Sequence, residues 1–136
     1  MIVGFTGTRK GMTSAQEATF SELLRRSEAS MFVHGDCIGA DADAHRIARE
    51  LGVPVRLRPC NIKSQRAFCK GAIEEFPAEP PLIRNRLIVA DSNCLFACPS
   101  GFEEELRSGT WATIRSAKKS GKALVIIWPD GSTSGY

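Results

Sequence analysis

The sequence predicts an α/β domain built on a parallel sheet of five strands with helices between them. Three observations predict it. Short apolar runs alternate with segments whose apolar residues recur at helical spacing. The ends of the first, second and fourth strands carry glycines, hydroxyls and charged residues, as loops that lead into helices do. The chain has 136 residues, the usual size of one domain, and 43% of them are hydrophobic, which argues against disorder.

The elements follow in order. Ile2 to Phe5 forms the first strand. Thr13 caps a helix, with Gln16 three residues on completing a capping box and Phe20, Leu23 and Leu24 as its apolar face. Met31 to Val33 is the second strand. Ala40, Ala44, Ile47, Ala48 and Leu51 mark the next helix, which Gly52 stops, and Val53 to Leu57 is the third strand. Pro59 to Pro81 has the weakest period and reads as a long loop with at most a short helical piece. Pro80 and Pro81 open a helix expected to bury Ile83, Leu87 and Ala90. Asn93 to Cys98 is the fourth strand. A helix over Ser108 to Ser120 buries Trp111, Ile114 and Ala117, and Ala123 to Trp128 is the fifth strand. Residues 1–129 therefore make one domain, and 130–136 are expected to be a loose tail.

Composition narrows the function classes. The net charge of +3 is too small to argue for nucleic acid and suits a site that receives phosphate. Five cysteines, an odd number with no CxxC pair, speak against a secreted disulfide framework. No signal core is visible at Met1 to Gly11, and no apolar run approaches the ~18 residues of a membrane span. A cytoplasmic protein is the expectation.

Ligands of parallel α/β sheets sit beyond the carboxyl ends of the strands. Three loops meet that condition. The first, Gly4 to Gly11, offers Gly7, Thr8 and Arg9 with a second cation behind them, a composition suited to cradling phosphate, although an ordinary strand-to-helix turn reads the same way. It matches neither the Walker loop nor GxGxxG. The second offers Gly35, Asp36, Gly39 and Asp41 where a helix begins; the two aspartates suit ribose hydroxyls or helix capping. The third runs from Pro99 through Glu103, Glu104 and Glu105 to Ser108, Gly109 and Thr110, an acidic turn before a second anion-binding helix start. Arg84 and Arg86 precede the fourth strand and offer phosphate-binding guanidinium groups or surface ion pairs. His34, Cys37, Cys60 and Cys69 can be drawn as a zinc set, but their spacings match no standard knuckle, so no metal is expected. Cys94 and Cys98, flanking Phe96 in a strand, read as core.

Taken in order, GFTGTRKGMT, HGDCIGADADAHRIARELG, RNRLIVADS and EEELRSGTWATIRSAKKSGKALVIIWPDG resemble the SLOG superfamily. That superfamily includes the lysine-decarboxylase-like LOG proteins, DprA and small stand-alone YspA/YpsA-like members, the last being the nearest in pattern. The resemblance covers nearly the whole chain except the middle loop and the tail. It implies a Rossmann-like three-layer domain with strand order 3-2-1-4-5 and a nucleotide-type ligand with no further cofactor. It also implies a reaction, since LOG enzymes hydrolyse the N-glycosidic bond of nucleoside 5′-monophosphates. Arg84 stands where their arginine falls, Pro99 to Gly101 resemble the start of their PGGxGTxxE motif, and Ser108 to Thr110 resemble its GT portion. The chain departs from the motif in two ways: FEEELR intervenes, and Trp111 to Ile114 follow GT without a glutamate. Glu103, Glu104 and Glu105 are the candidate replacements. A phosphoribohydrolase, a non-catalytic sensor of a nucleotide-derived signal and, last, a DprA-like nucleic-acid binder are the readings that follow. A homodimer is implied by the LOG relatives alone.

Overall fold

Val3 and Phe5 project to one side of the first strand while Gly4 and Thr6 face the other, and this two-residue period divides the whole core. A computed structural model describes residues 1–136. Strand β1 (Ile2–Gly7) lies between β2 (Met31–His34) and β5 (Cys94–Cys98) and runs parallel to both. β3 (Val55–Leu57) adds beyond β2, and β6 (Ala123–Ile127) adds beyond β5, again in parallel. These five are the expected strands in the expected relative order.

The sheet nevertheless has seven strands, not five. Glu74–Glu75 forms β4 beside β3, and Thr133–Gly135 forms β7, antiparallel to β6, giving the order β4-β3-β2-β1-β5-β6-β7. Both additions lack apolar alternation, so periodicity could not announce them. β4 is two exposed glutamates. β7 follows a tight turn in which Gly131 adopts φ +84° and Asp130 Oδ1 accepts from the Ser132 N–H at 3.0 Å. The Trp128 indole N–H then donates to Ser134 Oγ at 2.8 Å. The tail is thus a paired edge strand and not a loose end.

Helices α1 (Ser14–Ser27) and α2 (Ala40–Glu50) cover one face of the sheet, where Phe5, Phe20, Phe32 and Phe96 meet with Cys94 and Cys98. α3 (Pro81–Asp91) and α4 (Gly109–Lys119) cover the other, packing Ile88, Trp111 and Ile114 on Val33, Leu95 and Leu124. Three layers result, as expected. The capping box forms as read: Thr13 Oγ1 accepts from the Gln16 N–H, and Gln16 Oε1 accepts from the Thr13 N–H, both at 3.0 Å.

α3 turns a different face inward from the one its apolar residues suggest. Arg84, Asn85, Ile88 and Val89 are buried, whereas Ile83 and Ala90 are exposed and Leu87 is half-buried. The inward face leads with polar groups because it closes the floor of a cavity described below. Between β3 and α3 the chain is irregular apart from β4 and one turn of 3₁₀ helix at Lys63–Gln65. No helix is long and apolar enough to cross a membrane.

Gln16 does more than cap. Its buried amide donates to the carbonyls of Pro99 (2.9 Å) and Ile127 (3.0 Å), tying α1 to the ends of β5 and β6. Gln16→Ala strands two carbonyls and should lower unfolding free energy by about 2 kcal/mol in urea titration. Thr13→Ala, which removes only a cap, should cost about 1 kcal/mol. Equal losses would mean that the two carbonyl contacts contribute nothing.

Candidate functional site

Strand order reverses between β1 and β5, because the chain builds outward from β1 in one direction and from β5 in the other. At that reversal the loops after neighbouring strands diverge and leave a crevice. Here it is a cavity of about 380 Å³. Thr6 to Lys10 from β1 form one wall, and Ser100, Glu105 and Arg107 to Thr110, between β5 and α4, form another. Arg84, Asn85 and Ile88 of α3 lie with Gly35, Cys37 and Asp41 of the β2–α2 turn, and Gln65 reaches in from the irregular segment.

Two turns at this cavity present backbone donors. Ser108 caps α4 by accepting the Trp111 N–H at 3.3 Å, which leaves the N–H groups of Gly109 and Thr110 without an acceptor in the chain. A methyl added to Gly109 would meet nothing within 4 Å, so the approach to these donors is open. The β1 loop is pinned around Thr8: its N–H donates to the Cys98 carbonyl (3.0 Å), its carbonyl accepts from Ala40 (2.9 Å), and its hydroxyl accepts from the Lys10 N–H (3.1 Å). The exposed side chains of Arg9, Lys10 and Arg107 stand around these donors and take part in none of the ion pairs of the fold. A helix start, free N–H groups and unpaired cations together favour an anion.

The floor is built differently. Arg84 is buried and held by the Gly35 carbonyl (2.7 Å from Nη1), Asn85 Oδ1 (2.9 Å from Nε) and Cys37 Sγ (3.5 Å from Nη2). Asp41 is buried beside it, with Oδ2 accepting from the N–H groups of Gly35 and Cys37, each at 3.1 Å. Oδ1 has no partner in the chain. Burial pushes the Asp41 carboxyl up to about 6, against the pull of Arg84 and the two N–H donors. Both groups crowd the space beside Gly35: a methyl there would lie 2.5 Å from Arg84 Nη1 and 3.1 Å from Asp41 Oδ2. Burial also raises the Cys37 thiol to about 12, so it is protonated and neutral at physiological pH.

Behind the floor lies a second polar layer. Asp36, fully buried at φ +56°, accepts from Arg66 and from the Cys69 N–H (2.8 Å), so it holds the irregular segment and does not reach the cavity. His34 Nδ1 accepts from the Asp36 N–H at 2.9 Å, and the proton must therefore sit on Nε2. That proton points at His45 Nδ1, 2.9 Å away, and His45 Nε2 donates to the Lys70 carbonyl at 2.7 Å. His34, His45 and Cys69 do bring three ligand atoms within 4.8 Å. Metal binding through His34 Nε2 would need that proton removed or moved onto Nδ1 against the Asp36 N–H, so the group fits a hydrogen-bond chain better than a metal. The four residues His34, Cys37, Cys60 and Cys69 do not come together as one ligand set.

Of the residues singled out from sequence, Gly7, Thr8, Arg9, Gly35, Asp41, Arg84, Glu105, Ser108, Gly109 and Thr110 line the cavity. Asp36 and Gly39 do not. Gly39, at φ +92°, lets the start of α2 pack on the backbone of Arg9. Pro99 offers its carbonyl to Gln16, and its neighbour Ser100 reaches the cavity instead. Arg86 lies on a separate groove between α3 and α4 with Arg115 and Lys119. Glu104 pairs with Arg115 at 2.8 Å outside the cavity, and Glu103 does not line it either. Asn85, Gln65, Ser100 and Arg107 were missed. Arg107 and Ser100 sit inside the motifs already read and were within reach; Gln65 arrives from a distant segment with no local signal.

No protein-family model matches the chain, and no curated protein matches it either. Solved structures do. A molybdenum cofactor binding protein from Rippkaea orientalis superposes with a TM-score of 0.70 at 16% identity, over 93% of this chain and 76% of that one. The Moco carrier protein from Chlamydomonas reinhardtii gives 0.69 at 21%, over 92% and 74%. DNA processing protein A from Streptococcus pneumoniae gives 0.68 at 18%, over 91% of this chain and 49% of that one, so the chain spans about half of DprA. The fold is a SLOG-type fold. The cavity occupies the sheet's switch point, where the general rule for parallel α/β sheets places a ligand.

Two buried groups of this site titrate in opposite senses. Burial, then the neighbouring His45, pushes His34 down to about 3 from 6.5, so stability held above about pH 6.5 is lost as pH falls. Asp41, raised from 3.8 to about 6, weakens the fold above about pH 6 and is relieved as pH falls. The two oppose each other between about pH 6 and pH 4. Asp41→Asn removes the relief, so the variant's unfolding free energy should fall by about 2 kcal/mol more than the parent's over that interval in urea titrations. Parallel profiles would contradict the Asp41 assignment.

Proposed function

We propose that this chain binds a nucleotide through its phosphate group and hydrolyses the N-glycosidic bond of a nucleoside 5′-monophosphate. The observation that carries the reading is the open α4 N-terminus at Gly109 and Thr110, facing the Thr8 turn with Arg9, Lys10 and Arg107 around it. A phosphate needs several N–H donors and positive charge at one point, and this is where the chain concentrates both. A volume of about 380 Å³ suits a small ligand. The SLOG-type relatives include two that bind the molybdenum cofactor and one that processes DNA, so the fold alone does not choose the ligand. The loop residues support a phosphate-bearing one.

One observation favours a sensor without turnover. No glutamate follows Gly109 and Thr110 in α4, and the Thr113 hydroxyl donates to the Gly109 carbonyl at 2.9 Å. Base release therefore separates the two readings. A homodimer belongs to the first, with exposed Leu82 and Ile83 on α3 as apolar surface for a second copy. Sedimentation equilibrium at twice 14.8 kDa is the expected result, and a monomer at micromolar concentration would remove that part of the reading.

Calorimetric titration with nucleoside 5′-monophosphates and the matching nucleosides tests the phosphate. Monophosphates should bind at least tenfold more tightly. Arg9→Ala with Lys10→Ala should weaken the monophosphate by about tenfold, or 1.4 kcal/mol, and leave the nucleoside unchanged. Equal affinity for nucleoside and monophosphate would remove the phosphate site.

A further inference from the structure

Hydrolysis of an N-glycosidic bond needs a carboxylate at the reacting carbon, and the sequence offers a cluster of glutamates in the wrong place. Glu103 and Glu104 lie outside the cavity, the latter on Arg115. Glu105 is exposed at the rim. Helix α4 offers no carboxylate, and its Thr113 hydroxyl is turned back on its own helix. The one buried carboxylate that lines the cavity, Asp41, comes from the first turn of α2.

We propose that Asp41 is the catalytic carboxylate of this site, taking a proton from the water that attacks C1′ of a bound nucleoside 5′-monophosphate. The proposal rests on the nucleotide reading above. Its geometry has three parts. Two backbone N–H groups, of Gly35 and Cys37, hold Oδ2 and so fix the carboxylate plane. Oδ1 has no partner in the chain and belongs to a residue that lines the cavity, so it is the oxygen left for substrate or water. Arg84, anchored to the Gly35 carbonyl, and Asp41 Oδ2 both lie against the space a Gly35 side chain would fill, so the guanidinium draws on Asp41 without forming an ion pair with it.

The chemistry balances without a further reactant. The water oxygen bonds to C1′ as the C1′–N bond breaks, and the bonding pair leaves with the base nitrogen. The water's proton passes to Asp41 Oδ1 and then to the departing base, giving ribose 5-phosphate and free base. A carboxyl that burial has raised to about 6 is ionised at neutral pH yet a better proton acceptor than a solvated one. Asp41, in the first turn of α2, lines the same cavity as Gly109 and Thr110 at the start of α4. A ligand held by its phosphate at α4 would thus extend its sugar toward the floor.

The test compares parent, Asp41→Asn and Asp41→Glu with a panel of nucleoside 5′-monophosphates, measuring Kd by calorimetry and free base by chromatography. Asn keeps an oxygen for the Gly35 and Cys37 N–H groups, so Asp41→Asn should bind within about threefold of the parent and lose at least 100-fold in base release. Asp41→Glu should bind similarly and lose at least tenfold, because the added methylene displaces Oδ1. Base release within a few-fold of the parent in either folded variant overturns the proposal, so each variant decides by itself. A parent that binds a monophosphate but releases no base also overturns it and leaves phosphate binding standing. A parent that binds no monophosphate removes both readings.

Discussion

β1 and β5 pair in parallel from Val3–Cys94 to Gly7–Cys98, and the chain leaves that pairing in opposite directions. Two strands that part company at their carboxyl ends cannot both send their loops over the same helix. The gap between the loops has to be filled by side chains, by water or by a ligand. This chain fills it with polar groups: a pinned turn around Thr8 on the β1 side and an open helix start on the β5 side. The Thr8 N–H bonded to the Cys98 carbonyl extends the pairing one residue beyond the strands and sets the distance between the two walls.

The floor under that gap explains why several polar residues are buried at a cost. A guanidinium and a carboxylate taken out of water are tolerable only when each is hydrogen-bonded where it lies. Arg84 and Asp41 meet that condition through the backbone of Gly35 and Cys37 more than through each other. The layer behind them, from Asp36 and Arg66 to the His34–His45–Lys70 chain, fastens the irregular segment to β2 and α2. The long segment is thereby ordered by a few buried polar contacts instead of an apolar face, and Gln65 is delivered to the cavity as a consequence.

A SLOG-type fold supplies this architecture to proteins that carry a molybdenum cofactor and to one that processes DNA. The local chemistry of this chain is set by its loops. The stretch from Phe102 to Arg107 places Glu105 at the rim and Glu104 in a surface pair with Arg115, and Thr113 of α4 bonds back to its own helix. Acidity at the cavity floor then comes from α2, and cation density from Arg9, Lys10 and Arg107.

The relative order of the five main strands was implied by the resemblance to the SLOG superfamily; by itself the sequence determined the α/β class, the five strands, the Thr13–Gln16 cap and the three loops that converge on the cavity. Each of these is written in short-range pattern: apolar period, capping chemistry, glycine next to hydroxyl and cation. Tertiary structure alone decided the rest. Which face of α3 turns inward depended on a cavity that no local pattern encodes, so Arg84 and Asn85 are buried while Ile83 is not. β4 and β7 exist because a neighbouring edge accepts their backbone bonds, and their side chains carry no signal of it. Asp36 and Asp41, five residues apart and alike on paper, were separated into a strut and a cavity-lining group by one left-handed turn at Asp36 and by the approach of Arg66 from thirty residues away. Burial and partnership are properties of the packed chain, and the role of a carboxylate follows from them.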